Sequence, residues 1–205
     1  NTQTSSGGPS YFESDIPPEG LLDIQEPRIY FGQLSPDYSI VGAPDGDTPR
    51  ELDYPDDASP TGQRNNTYTG TGGVDVGSFF NRLVFATKFQ DSNILLSDLV
   101  NEDSRVLYDR DPRDRVSKVA PWLTLDGDPY PIVVDGRIKW MVDGYTTSNN
   151  YPNAARTLLN EATNDSVTAT SRSVAAQSRD QITYIRNSVK ATVDAYDGTV
   201  NLYLW

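Results

Sequence analysis

The chain has 205 residues, a formal net charge of −12, and neither cysteine nor histidine. Without cysteine there are no disulfides, thiolate nucleophiles or cysteine zinc sites. Without histidine, Ser-His-Asp and Cys-His mechanisms are excluded within the chain, and any metal would be a hard cation held by oxygen. The acidity repels phosphate backbones and anionic lipid, so no nucleic-acid partner and no direct membrane insertion are expected. No apolar run approaches the ~20 residues that span a bilayer.

Hydrophobic residues make up 36%, with 15 Gly and 14 Pro, a composition that points to a loop-rich protein with a modest core. Residues 1–15 read as a disordered lead-in, polar and rich in Gly and Ser at the start. Residues 16–205 read as one domain. Arg28 to Gln33 and Tyr38 to Gly42 look like two short strands around a Ser35-Pro36-Asp37 turn. From Ala43 to Gly73 the composition shifts to Pro, Gly, Asp, Asn and Thr, a long surface excursion with a short strand at Arg50 to Tyr54.

Ser78 to Phe89 is the main predicted helix. Phe79 and Leu83, Phe80 and Val84, and Phe85 and Phe89 each lie four apart. Apolar residues on several faces predict central burial. A second short helix is expected over Ser92 to Leu99 and a strand over Arg105 to Tyr108. Asp111-Pro112 opens a third helix: Asp caps free N–H groups and Pro fits the first helical position. Pro121 stops it.

Tyr130 to Tyr145 reads as a hairpin around Asp135-Gly136, with Val133 opposite Ile138 and Pro131 opposite Trp140. Asn149 to Gln181 carries little pattern beyond a possible helix at Ala154 to Ala162. Ile185 to Trp205 reads as a last hairpin around Asp197-Gly198. Pairing outward sets Ala195 against Val200, Val193 against Leu202 and Ala191 against Leu204, which gathers the aliphatic residues on one face. The chain starts on Asn1 and stops on Trp205 in mid-strand, so it reads as a piece of a longer protein. The expected fold is α+β, a mostly antiparallel sheet of hairpins with two or three short helices packed on it.

Several blocks carry a resemblance. They include Arg28-Ile29-Tyr30-Phe31-Gly32, Leu34-Ser35-Pro36-Asp37-Tyr38-Ser39-Ile40-Val41-Gly42, Gly77-Ser78-Phe79-Phe80 and Asp111-Pro112-Arg113. Lys118-Val119-Ala120-Pro121, Val133-Val134-Asp135-Gly136-Arg137 and Val142-Asp143-Gly144-Tyr145-Thr146-Thr147-Ser148 follow, and then Tyr184 through Gly198. Together they resemble the uncharacterised protein family 0182, large multi-spanning membrane proteins of actinobacteria and cyanobacteria. The resemblance implies the front part of a large domain outside the cytoplasm, truncated at its C-terminus. It implies no catalytic residues.

Three constellations could carry chemistry. Asp126-Gly127-Asp128 and Asp45-Gly46-Asp47 place two carboxylates two apart, a pattern that could hold calcium or another divalent cation and that more often marks a turn. The run Asp109-Arg110-Asp111-Pro112-Arg113-Asp114-Arg115 could bind an anion, or could be a capped helix with surface ion pairs. Trp140, Asp143, Tyr145, Thr146 and Thr147 bring rings, hydroxyls and a carboxylate toward one polar loop, as a sugar-binding cleft does and as ordinary packing does.

The leading expectation is a non-enzymatic binding or interaction module at the cell envelope, whose partners are its own transmembrane bundle or other envelope proteins. The alternative is an envelope enzyme acting on glycans or lipid-linked sugars with a divalent metal at Asp126 and Asp128. The sequence leaves the oligomeric state open.

Overall fold

The structure, a computed structural model, describes residues 2–3, 9–11, 13–163 and 174–205. It is α+β with antiparallel sheets, and it divides into two compact units. The first comprises Asn1–Leu22 and Pro36–Tyr108, the second Asp23–Ser35 and Asp109–Trp205.

The first unit begins with two small ladders: β1 (Thr2–Gln3) with β2 (Pro9–Ser10), and β3 (Glu13–Ser14) with β4 (Glu19–Gly20). Its main sheet has β9 (Arg105–Tyr108) between β5 (Tyr38–Val41) and β8 (Val74–Asp75). The Pro- and Gly-rich excursion holds a hairpin, β6 (Glu51–Pro55) on β7 (Gln63–Asn66), with a register shift between Leu52 and Tyr54. Arg64 closes it on Asp56 at 2.6 Å.

Helix α1 (Phe79–Phe89) starts where the Ser78 hydroxyl accepts the Asn81 N–H at 3.2 Å. It ends at Gln90, in the left-handed region at φ 54°. The short helix α2 (Asn93–Leu96) follows. Their core is Val76, Phe85, Ile94, Val100 and Val106, with Phe89, Tyr38 and Tyr108 packed against it. Tyr38 stacks on Phe89 with ring centroids 4.2 Å apart.

Central burial of α1 is not what forms. Only the Phe85 face turns inward; Phe79 and Phe80 are 70% and 71% exposed, and Leu83 and Val84 are exposed as well. The 100° step per residue puts Phe85 and Phe89 on one stripe and the other four on the opposite side of the helix, and within this unit the sheet covers only the first stripe.

The second unit is built on β12 (Arg137–Ser148), which pairs with β10 (Thr124–Leu125), β11 (Tyr130–Val134) and β15 (Tyr184–Asp194). β16 (Val200–Leu204) adds to the far side of β15. Helix α3 (Pro112–Val119) has the expected start: Asp111 accepts the N–H groups of Arg113 at 2.8 Å and Asp114 at 3.1 Å, with Pro112 next. Its Val116, with Ala120, packs on Leu123, Leu125, Val142, Ala191 and Val193, so the core lies between helix and sheet. A small ladder of β13 (Thr157–Leu158) with β14 (Gln181–Ile182) and the single turn α4 (Leu159–Ala162) complete the unit. The helix thus begins five residues later than the composition predicts, because Thr157 and Leu158 are spent on the ladder.

The β11–β12 hairpin has the predicted register, Val133 opposite Ile138 and Pro131 opposite Trp140. Asp135 and Gly136 both take positive φ, 53° and 71°, as the favoured two-residue turn requires. The β15–β16 register is displaced by two residues: Val193 faces Val200, Ala191 faces Leu202, and Lys190 faces Tyr203. A shift of two keeps every side chain on its predicted face.

The displacement has a cause in Asp194. Its carboxylate accepts the N–H groups of Tyr196 at 2.9 Å and Asp197 at 3.2 Å, winding the chain into a longer loop. Only Gly198 is left-handed there, at φ 74°, and a Cβ on it would meet the Phe31 ring at 2.8 Å.

Arg28 to Gln33 forms no strand. Its N–H groups reach loops instead: those of Tyr30 and Phe31 both donate to the Ala195 carbonyl at 2.8 Å. Just upstream, Gln25 and Glu26 donate to Gly136 in the same way. Phe31 is fully buried.

Candidate functional site

The charged run before and within α3 behaves as a clamp. The Nε of Arg110 donates to the Tyr30 carbonyl at 2.6 Å, that of Arg113 to Asp126 at 3.1 Å, and that of Arg115 to Gly198 at 2.8 Å. Arg113 and Arg115 thereby tie two loops to α3, and Arg110, just before its cap, ties a third to the start of the helix. A guanidinium suits this because its fork of donors is rigid and always charged. Arg110 is buried, and desolvation lowers its pKa from the ordinary value. Lys118 ion-pairs with Asp109.

The five candidate residues on β12 do not converge. Trp140 shares the face of buried Val142, and its ring N–H donates to the Phe31 carbonyl at 2.8 Å. Asp143 lies on the opposite face, ion-paired with Lys190 directly across on β15. The Tyr145 hydroxyl donates to Asp126 Oδ2 at 2.6 Å, and the Thr146 hydroxyl meets that of Ser188 at 2.7 Å. Thr147 lines a cleft of the second unit.

Asp126 is occupied at every polar atom. Oδ1 accepts the Asp128 N–H at 2.9 Å and Oδ2 the Tyr145 hydroxyl; its N–H donates to Asp143 at 2.8 Å and its carbonyl accepts Arg113. Such a carboxylate holds a turn together. Among the described residues no three acidic side chains gather as a hard-cation site needs. Asp45 and Asp47 flank a left-handed Gly46 in an exposed loop, where Asp47 approaches Arg50 at 3.8 Å.

The Thr147 cleft encloses about 390 Å³ in the second unit. α3 contributes Arg113 and Ser117, β10 contributes Thr124, and the segment before β14 contributes Gln177, Ser178 and Asp180. Leu123, Leu125, Leu159 and Ile182 form its apolar wall. Gln177 donates to the Leu125 carbonyl at 2.7 Å, and the Ser178 hydroxyl to Asp180 Oδ2 at 2.6 Å. The sequence pointed to Arg113 and Thr147 for different reasons and to none of the others. Gln177 to Asp180 lie in the unpatterned stretch, and only the chain's path brings them here.

A second cleft, of about 340 Å³, lies in the first unit between β5, β6 and α2. Ile40, Ile94 and Val100 line it with Glu51 and Asp91. The Tyr38 hydroxyl donates to Asp91, which raises the tyrosine pKa and lowers that of Asp91. Glu51 Oε1 accepts the N–H groups of Gly42 at 2.7 Å and Tyr68 at 3.1 Å.

Comparison with known proteins gives a consistent result. A protein of Arthrobacter sp. (strain FB24) is 55% identical over 208 residues, covering 100% of this chain and 21% of the relative. One from Kineococcus radiotolerans is 54% identical over 206 residues, covering 100% and 20%. One from Frankia alni is 55% identical over 193 residues, covering 94% and 18%. Each is named only as a UPF0182 protein, and the chain spans about a fifth of their length. No solved structure matches significantly. The model of the uncharacterised protein family UPF0182 matches residues 1–205. The chain belongs to that family.

Proposed function

We propose that this chain is an interaction module that docks through α1 onto the remainder of a longer UPF0182 polypeptide, on the extracytoplasmic side of the membrane. The observation that carries the docking is the apolar face of α1. Phe79, Phe80, Leu83 and Val84 are contiguous on the helix and exposed. Adjacent large apolar side chains on one helix face mark a contact surface, since scattered ones need no explanation and clustered ones do.

The cover we assign is the same polypeptide. The relatives extend well beyond the matched fifth, so residues in cis are present at high effective concentration. The resemblance to multi-spanning membrane proteins supports the extracytoplasmic part of this reading. The absence of cysteine is compatible with either compartment.

Photo-cross-linking tests the docking. Benzoylphenylalanine replaces Phe80 in the full-length polypeptide in its native membrane. Cross-links to residues of the same polypeptide outside this stretch are expected. Cross-links only between two copies, or only to other proteins, overturn the assignment. Sidedness is read by placing one cysteine in the exposed β6–β7 loop, Asp57→Cys. A membrane-impermeant maleimide should label it in intact cells; labelling only after lysis overturns that part.

A further inference from the structure

We infer that the Thr147 cleft is a binding site for a small hydroxylated oxyanion, a polyol phosphate or a hydroxycarboxylate. The cleft is large enough for such a molecule, at about 390 Å³. Its one cation among the described lining residues is Arg113. That guanidinium is half-buried and fixed through Nε to the Asp126 carbonyl at 3.1 Å, which leaves its two terminal nitrogens with no carboxylate partner among the described residues. A guanidinium already immobilised loses little further entropy when an oxyanion docks on its free edge.

The remaining chemistry fits the body of the ligand. Thr124 and Thr147 add hydroxyls to the wall, and these can donate to an oxyanion or accept from a polyol. Asp180 sits in the same cleft as an acceptor of hydroxyl protons, already taking one from Ser178 at 2.6 Å. One fixed cation with one carboxylate favours a ligand that carries both an oxyanion and hydroxyl donors over a bare anion. The end of α3 plays no part, because Asp111 already fills it. The site is independent of the α1 surface, which lies in the other unit.

The test is thermal denaturation of the 205-residue chain in glycerol phosphate, glycerate, inorganic phosphate and glycerol, with sodium chloride at matched ionic strength as reference. At a tenfold excess over a millimolar Kd, glycerol phosphate or glycerate should raise Tm by about 3–5 °C. Whichever of the two gives the larger shift identifies phosphoryl or carboxylate as the anionic group. Inorganic phosphate should bind several-fold more weakly and glycerol alone should not bind. Arg113→Lys keeps the charge but loses the fork, and should weaken binding about tenfold. Thr147→Val, which leaves the clamp to Asp126 intact, should weaken it several-fold. No shift beyond that in sodium chloride, or affinities unchanged in both variants, overturns the site.

Discussion

Arg137, the first residue after the tight turn of one hairpin, holds Asp194, the last strand residue before the long loop of the next. Its Nη2 lies 3.0 Å from Asp194 Oδ1 and 3.3 Å from Asp197 Oδ2. The Asp194 side chain is 7% exposed and also accepts two loop N–H groups, so one carboxylate sets the loop and joins it to the neighbouring strand. Replacing it leaves two backbone donors and part of a cation unmet. Asp194→Ala should cost about 2–4 kcal/mol, and Asp194→Asn somewhat less because the amide oxygen still accepts. Urea denaturation measures both. A loss below about 0.5 kcal/mol for Asp194→Ala would show that the loop is held by something else.

Acid sensitivity follows from the same loop. Burial opposes the charged form of Asp197, but the Thr199 hydroxyl and N–H, with Arg137, outweigh it, and the net pKa lies below the ordinary carboxyl value. Asp91 is lowered by the Tyr38 hydroxyl and the Asn93 N–H, and Asp56 by Arg64 and the Ala58 N–H. A carboxyl lowered in the folded state stabilises it fully above its unfolded value, about 3.9, and that contribution disappears as pH falls through the folded value. Stability should therefore be flat from neutral pH down to about 5 and fall steeply below about 4. Asp197→Asn should flatten that acid limb in chemical denaturation at stepped pH. An unchanged limb would assign the acid loss to other groups.

What was legible in the sequence had its determinants close together in the chain. The β11–β12 turn needs two adjacent residues at positive φ, and Asp135-Gly136 supplies them; the start of α3 needs Asp and then Pro, and both are there. The β15–β16 hairpin was legible in face but not in register, because the Asp194 carboxylate competes with the two-residue turn by binding backbone N–H groups. β7 was invisible, since Gln63 to Asn66 has no apolar alternation and pairs only because β6 is beside it.

The candidate site was legible only in part for a related reason. Arg113 and Thr147 stand out as a charge and as the end of a hairpin, whereas Gln177 and Asp180 reach the cleft through a tertiary path that no local pattern encodes. Periodicity does not give the burial of α1, because it reports which residues share a stripe, not which stripes are covered.

The Asp126 turn separates a structural carboxylate from a metal-holding one. Its four hydrogen-bonding roles all lie within the protein. Asp126→Ala should lower stability by about 1–3 kcal/mol, and Tyr145→Phe by about 0.5–1.5 kcal/mol, through one lost hydrogen bond at 2.6 Å. Both losses should be the same in chelator and in calcium, magnesium or manganese. An ion-selective rise in the Tm of the parent chain that vanishes in Asp126→Asn would instead reinstate the cation.

The α1 surface gives opposite outcomes in two contexts. In the 205-residue chain, Phe80 and Leu83 are exposed, so replacing both by Ser removes little burial and should change stability by less than about 1 kcal/mol. It should also raise the concentration at which the chain remains monodisperse, because a contiguous apolar patch promotes association. In the full-length polypeptide the same two side chains would be buried against their cover. There the double variant should lose about 2–4 kcal/mol of docking stability, the scale of two truncated apolar anchors. Limited proteolysis of membranes reads this as faster cleavage in the β6–β7 loop and the chain around α1. Equal proteolysis of parent and variant would mean that the α1 face meets nothing in cis, and its occupant would have to be a second copy or another protein.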